Sequence, residues 1–302
     1  MGPVFIHSLW RAGSTYVWSR FRALDTVRAY YEPFNEALGV ATREELAPLS
    51  PELWLSNHPQ LDRGYYAEYL PLVAGRGVPG FAKPFTVDHY FADDATLDAE
   101  RPYLDLLMAQ AQGRTPVLGC CRTLGRAAWL KRRYGGTHIL IVRDPVQQWL
   151  SGRLRKTEAG HAYFETMPFH ILGRAGWEPA RRAARLFGIP DLAAESFFLE
   201  HERYFALFGG ASFELSYAVF HALSALSLGR ALPAADLVID MDRLSAEPAY
   251  RRDAASRVAA LTSLGVTFDD ARMARHPLPR PAEDFARIEK GIAEIIGVVP
   301  AA

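Results

Sequence analysis

Apolar and polar positions alternate in blocks along this chain. Val4–Ser8 is a short apolar run that predicts a buried strand, and Ser14–Leu24 follows with Val17, Phe21 and Leu24 on one helical face. Val27–Tyr31 reads as a second strand, ending at Glu32-Pro33. Pro33 biases Glu32 away from helical geometry, which places Glu32 at a strand end. Leu97–Gln112 predicts a helix, Thr115–Cys121 a strand, Arg122–Tyr134 a helix, His138–Val142 a strand and Asp144–Arg155 a helix with Pro145 early in it. Leu237–Asp240 predicts another strand and Pro248–Leu264 a helix closed by Gly265; a last helix spans Ala282–Ile296. Residues 160–230 are aromatic and Ala-rich with helical spacing, and read as a helical insertion or cap.

Strands alternating with helices predict an α/β protein of three layers, a mostly parallel central sheet flanked by helices. With no internal repeat and no low-complexity linker, residues 1–302 are expected to form a single domain. The chain is 49% hydrophobic and 23% charged, with 34 basic and 34 acidic residues, so nothing marks it as an electrostatic nucleic-acid binder. Only Lys83, Lys131, Lys156 and Lys290 are lysines; the other 30 basic residues are arginines. That bias suits bidentate recognition of phosphate or sulfate, and equally reflects codon usage in a GC-rich genome. Cys120 and Cys121 are adjacent, which gives neither metal spacing nor a disulfide framework, and no metal-ligand cluster stands out. No signal peptide and no run of about 18 apolar residues is visible, so a cytoplasmic protein without a membrane span is expected.

The candidate chemistry begins at Arg11-Ala12-Gly13-Ser14-Thr15-Tyr16, a strand-to-helix loop of phosphate size. Gly13 allows close backbone approach, and the helix start favours negative charge. Ser14 and Thr15 add hydroxyls, and Arg11 a fixed cationic fork. It is not a Walker A loop, which needs Gly-x-x-x-x-Gly-Lys-Ser/Thr; this loop has no Lys. A second block ends a strand at Arg143-Asp144-Pro145, with Ser151 eight residues after the Arg, about two helical turns on.

Together these blocks resemble the sulfotransferase family, whose members use 3′-phosphoadenosine 5′-phosphosulfate as donor and have a P-loop-like fold. The family's Arg/Lys-x-Gly-Ser/Thr-Thr loop matches residues 11–15, and its strand-Arg-Asp/Asn-Pro motif with a Ser eight residues on matches Arg143 and Ser151. The resemblance implies that the first loop holds the 5′-phosphosulfate, with Arg11 stabilising the leaving group, and that the second motif holds the 3′-phosphate. It implies a hydroxyl acceptor and no metal. The His base of the small-molecule branch would fall near Cys121-Arg122, where no His stands. Tyr30-Tyr31-Glu32-Pro33-Phe34 resembles instead the Glu-Pro-Leu/Phe segment of the carbohydrate branch. That makes Glu32 the candidate base, with His89 and Glu36 in reserve, and a carbohydrate or glycoconjugate the expected acceptor. Arg122, His89 and Lys83 are candidate substrate contacts. Aromatics between Trp54 and Tyr103 offer sugar-stacking surfaces or simply core. Two departures from the family stand out: Met241 replaces a Tyr that borders the adenine, and no Arg-Lys-Gly-x-x-Gly loop follows, leaving Arg272 or Arg275 as substitutes. A P-loop phosphotransferase and a non-enzymatic nucleotide-binding or scaffold protein are the alternative readings.

Overall fold

The structure is a computed structural model that describes residues 2–48, 59, 61–153 and 163–296. Five strands form one sheet: β1 (Val4–His7), β2 (Val27–Tyr31), β3 (Thr115–Cys120), β4 (Thr137–Val142) and β5 (Leu237–Asp240). Their order is β2-β3-β1-β4-β5, and every pairing is parallel. The sheet is thus wholly parallel rather than mostly so. β1 lies at its centre, where Ile6 pairs with Gly119 on one side and Ile139 on the other. All four of its residues are buried, as a strand covered on both faces requires.

Helices of eight residues or more are numbered in chain order: α1 (Ser14–Arg22), α2 (Arg101–Ala109), α3 (Ala127–Tyr134), α4 (Pro145–Arg153), α5 (Tyr163–Gly173), α6 (Glu178–Leu186), α7 (Phe197–Phe208), α8 (Phe213–Ala231), α9 (Pro248–Thr262) and α10 (Ala282–Ile296). Side chains of β4 divide between the two faces. Ile139 and Ile141 join the core of α1, α2 and α9, through Val17, Trp18, Phe21, Leu104, Leu107, Ala254 and Val258. Leu140 joins the core of α4 and α8, through Trp149, Leu150, Phe220 and Leu223. The result is a three-layer α/β fold. Gly119 is what lets α1 lie close: a Cβ there would stand 2.7 Å from the Trp18 ring.

Most predicted elements are present, with shifted ends. The helix expected over Leu97–Gln112 begins at Arg101, after a 3-10 turn at Asp98–Glu100. The one expected from Arg122 begins at Ala127, after a 3-10 turn at Leu124–Arg126. The helix from Pro248 ends at Thr262 with Ser263, not Gly265, in the left-handed conformation (φ 55°). The segment read as an insertion contains α5 to α8, and α8 is more than a cap. Val219, Phe220, Ala222, Leu223 and Leu226 are all buried on it, so it supplies part of the layer on the second face.

Two buried histidines tie β1, β4 and the segment after β3. The Thr123 hydroxyl donates to His7 Nδ1 (2.7 Å), His7 Nε2 to His138 Nδ1 (2.9 Å), and His138 Nε2 to the Gly135 carbonyl (3.0 Å). That arrangement satisfies both rings in their neutral form. Burial accordingly lowers both, His138 to about 4. His7 is a core histidine, buried on β1.

Candidate active site

In a parallel sheet, the strands' C-terminal ends offer a crevice where neighbouring chains leave in opposite directions. Here those neighbours are β1, whose chain goes on to β2 at one edge, and β4, whose chain goes on to β5 at the other. The two motif loops meet over that point. Arg11 donates through Nε (3.2 Å) and Nη2 (3.1 Å) to the Ser151 hydroxyl. Arg143 Nη1 donates to the Arg11 carbonyl at 3.1 Å. Residues 140 positions apart in sequence thus form one cationic corner.

The loop itself is strained. Arg11 has φ 63°, which costs a non-glycine residue roughly 1–3 kcal/mol. Gly13 has φ 99°, and a Cβ there would stand 2.9 Å from Met241 Cε and 3.3 Å from Met273 Sδ. Gly13 is the N-cap of α1, and no side chain caps that helix. The positive end of the helix is therefore not neutralised by a capping side chain. Ser14 and Thr15 are both buried.

Residues 271–276 cover the β4 side. Arg143 Nη2 donates to the Ala274 carbonyl (2.6 Å), while Gln147 exchanges two hydrogen bonds with the His276 backbone, at 3.0 and 2.7 Å. Burial lowers the Arg143 pKa from its ordinary value, and the nearby charge of Arg275 adds to that. Arg272 and Arg275 are exposed on this segment. Met241 is fully buried under Gly13, so its side chain supports the loop.

The other half of the edge lies over β2 and β3. Glu32 follows β2 with φ 43°, another left-handed non-glycine position. Its carboxylate is buried and accepts from the Cys121 backbone N–H at 3.1 Å. Burial pushes its pKa up, against the opposing pull of Arg122 and the Cys121 N–H. Arg122 donates to the Phe34 carbonyl (3.0 Å), to Glu36 (2.7 Å) and to the Tyr163 hydroxyl, which itself donates to Glu36 at 3.1 Å. The halves are joined through Cys121, whose Sγ lies 3.5 Å from both the Ser8 and Ser14 hydroxyls, and through the Thr15 and Tyr31 hydroxyls at 3.3 Å.

The structure thus brings together Arg11, Ala12, Gly13, Ser14, Thr15, Arg143 and Ser151, with Glu32, Glu36 and Arg122 across the edge. Three expected contacts are engaged elsewhere. The Tyr16 hydroxyl bonds Asp270 at 2.7 Å, and its N–H bonds Gly13 O. His89 is buried against Glu100 (3.1 Å), which also pairs with Arg126. Lys83 pairs with Asp88 and Glu200, the latter in turn bonded to His170. A hydrogen bond to Glu100 engages His89, and opposite charge on Asp88 and Glu200 engages Lys83. Trp54 lies outside the described residues. Tyr163 and the Cys121 N–H were not legible in advance, since neither belongs to a motif or a periodic face.

Among the described residues, no group of three or more His, Cys, Asp or Glu is placed to hold a metal ion, and no helix is long and apolar enough to cross a membrane. No protein-family model, no curated protein and no solved structure matches the chain.

Proposed function

We propose that the protein is a sulfotransferase that uses 3′-phosphoadenosine 5′-phosphosulfate and a hydroxyl acceptor of carbohydrate type. The observation that carries this reading is the Arg11–Ser151 contact, which joins two separate anion-binding motifs over one crevice. A donor with phosphate groups at both ends needs two such motifs within reach of each other. The chain offers a fitting cradle: an uncapped helix start, a Gly13 that admits no Cβ, and a buried Arg143 with Nε free of hydrogen bonds.

When bound, the donor supplies a sulfuryl group on a phosphate leaving group. Arg11 and the N-terminal amides of α1 stabilise the charge that develops on the leaving oxygen. Arg143 and Ser151 fix the far phosphate and so align the transfer. Glu32, on the opposite side of the loop, accepts the acceptor hydroxyl's proton on its carboxylate. Its raised pKa favours that role. Arg122 is held by Phe34, Glu36 and Tyr163, and acts by positioning the Glu32–Glu36 turn rather than by reaching the sulfate.

Thermal unfolding with adenosine 3′,5′-bisphosphate, set against ATP with Mg²⁺, tests the reading. A ligand at a hundred times its dissociation constant adds about 2.7 kcal/mol. The bisphosphate is expected to stabilise. Stabilisation by ATP with Mg²⁺ alone favours a phosphotransferase and overturns the proposal.

A further inference from the structure

Tyr66 is buried at 2% exposure, and its hydroxyl makes no hydrogen bond among the described residues. Such a group costs about 1–3 kcal/mol where it stays unsatisfied, so its retention calls for a physical reason. Tyr66 shares this state with Trp18, Thr86 and Thr166, whose single polar side-chain atoms are also buried and unpartnered, and it alone of the four brings a phenolic O–H.

Its surroundings are those of the candidate site. The Tyr66 ring stands edge-on to Tyr31 with centroids 5.6 Å apart. Tyr31 in turn bonds Thr15 of the anion loop and immediately precedes Glu32. The charges of Glu32, Glu36 and Arg122 all act on the Tyr66 phenol, whose pKa burial raises well above the ordinary value. The phenol is therefore a committed O–H donor at neutral pH, beside two carboxylates and a guanidinium.

We propose that the Tyr66 hydroxyl is a specificity contact for the acceptor, donating to a second hydroxyl of a sugar whose first hydroxyl faces Glu32. The inference rests on the sulfotransferase reading above. It deepens that reading by making the acceptor a polyol with neighbouring hydroxyls, not a lone phenol or aliphatic alcohol. Glu32 takes the proton of the reacting hydroxyl, and Tyr66 fixes the ring's rotation by binding the next one. Tyr31 and Tyr65, at 4.8 Å between ring centroids, line the same aromatic patch.

Tyr66→Phe removes the hydroxyl and keeps the ring. Three readouts separate the possibilities: melting temperature of the free protein, its shift with adenosine 3′,5′-bisphosphate, and transfer from radiolabelled donor to para-nitrophenyl hexosides. The expected result is an unchanged or higher melting temperature and an unchanged bisphosphate shift. KM for the hexoside rises about five- to tenfold, the loss of one hydrogen bond. A melting temperature lowered by more than about 2 °C shows that the hydroxyl has a partner in the free protein, and overturns the inference. So does an unchanged KM, or a wild-type protein that binds the bisphosphate yet sulfates no hexoside. Failure of the wild type to bind the bisphosphate is the separate outcome that removes the parent reading.

Discussion

The two halves of the candidate site are built on different plans. Over β1 and β4, the groups come from two short runs, residues 11–15 and 143–151, with the Arg11 and Ala274 carbonyls holding Arg143 and no side chain capping the α1 start. Over β2 and β3, the groups are scattered along the chain, with Arg122 reaching the Glu36 carboxylate, the Phe34 carbonyl and the Tyr163 hydroxyl. In the proposed reading, the first half is a surface for a fixed anion. The second is a set of mutually dependent side chains, the kind of construction that varies with the molecule it receives.

This division is open to breakage. The largest effect is expected from Glu32→Gln, which removes the proton acceptor while leaving the anion half intact. Transfer falls by about 10²–10⁴ with little change in bisphosphate affinity. The wild-type rate also falls on acidification as Glu32 protonates, at a pH above the ordinary carboxylate range, and the variant lacks that limb. Near-normal turnover in Glu32→Gln sends the base role to Glu36.

Next in size is the acid response of the histidine pair below the anion half. His138 is held near 4 in the folded state against an ordinary 6.5, so the unfolded chain binds the extra proton first. Its contribution, roughly 3 kcal/mol, is fully present above about pH 6.5 and lost as pH falls toward about 4. Urea unfolding of the wild type and of His138→Gln between these limits measures it. Equal pH slopes in the two proteins count against it.

The smallest effect is expected from Ser151→Ala. Ser151 accepts from Arg11 and faces the proposed far phosphate, so bisphosphate binding weakens by about three- to tenfold, one modest hydrogen bond's worth. Turnover at saturating donor holds. If Ser151→Ala instead abolishes turnover with binding intact, the two halves are not separable.

The same contrast explains what was legible in the sequence. Strands β1 to β5 were readable because each is a short apolar run bounded by breakers, and a central parallel strand must be apolar on both faces. Helix starts were less so: the 3-10 turns at Asp98–Glu100 and Leu124–Arg126 carry ordinary helical sequence and delay the helices that follow. In the site, Arg11, Gly13, Arg143 and Ser151 were visible because local spacing carries their geometry. Arg122 was visible as a residue but not in its role, because its partners lie 86, 88 and 41 positions away. Tyr163 had no local signal at all. His89 and Lys83 look like reactive groups in sequence and are engaged by Glu100 and by Asp88 with Glu200, contacts that only the tertiary structure reveals.

Arg11 and Glu32 share one further property: both hold their backbone in the left-handed region, one in each half of the edge. A glycine at either place would relieve that strain and lose a long-range contact, Arg11 to Ser151 in one half and the Cys121 N–H to Glu32 in the other. Backbone preference and side-chain pairing therefore pull in opposite directions at both positions.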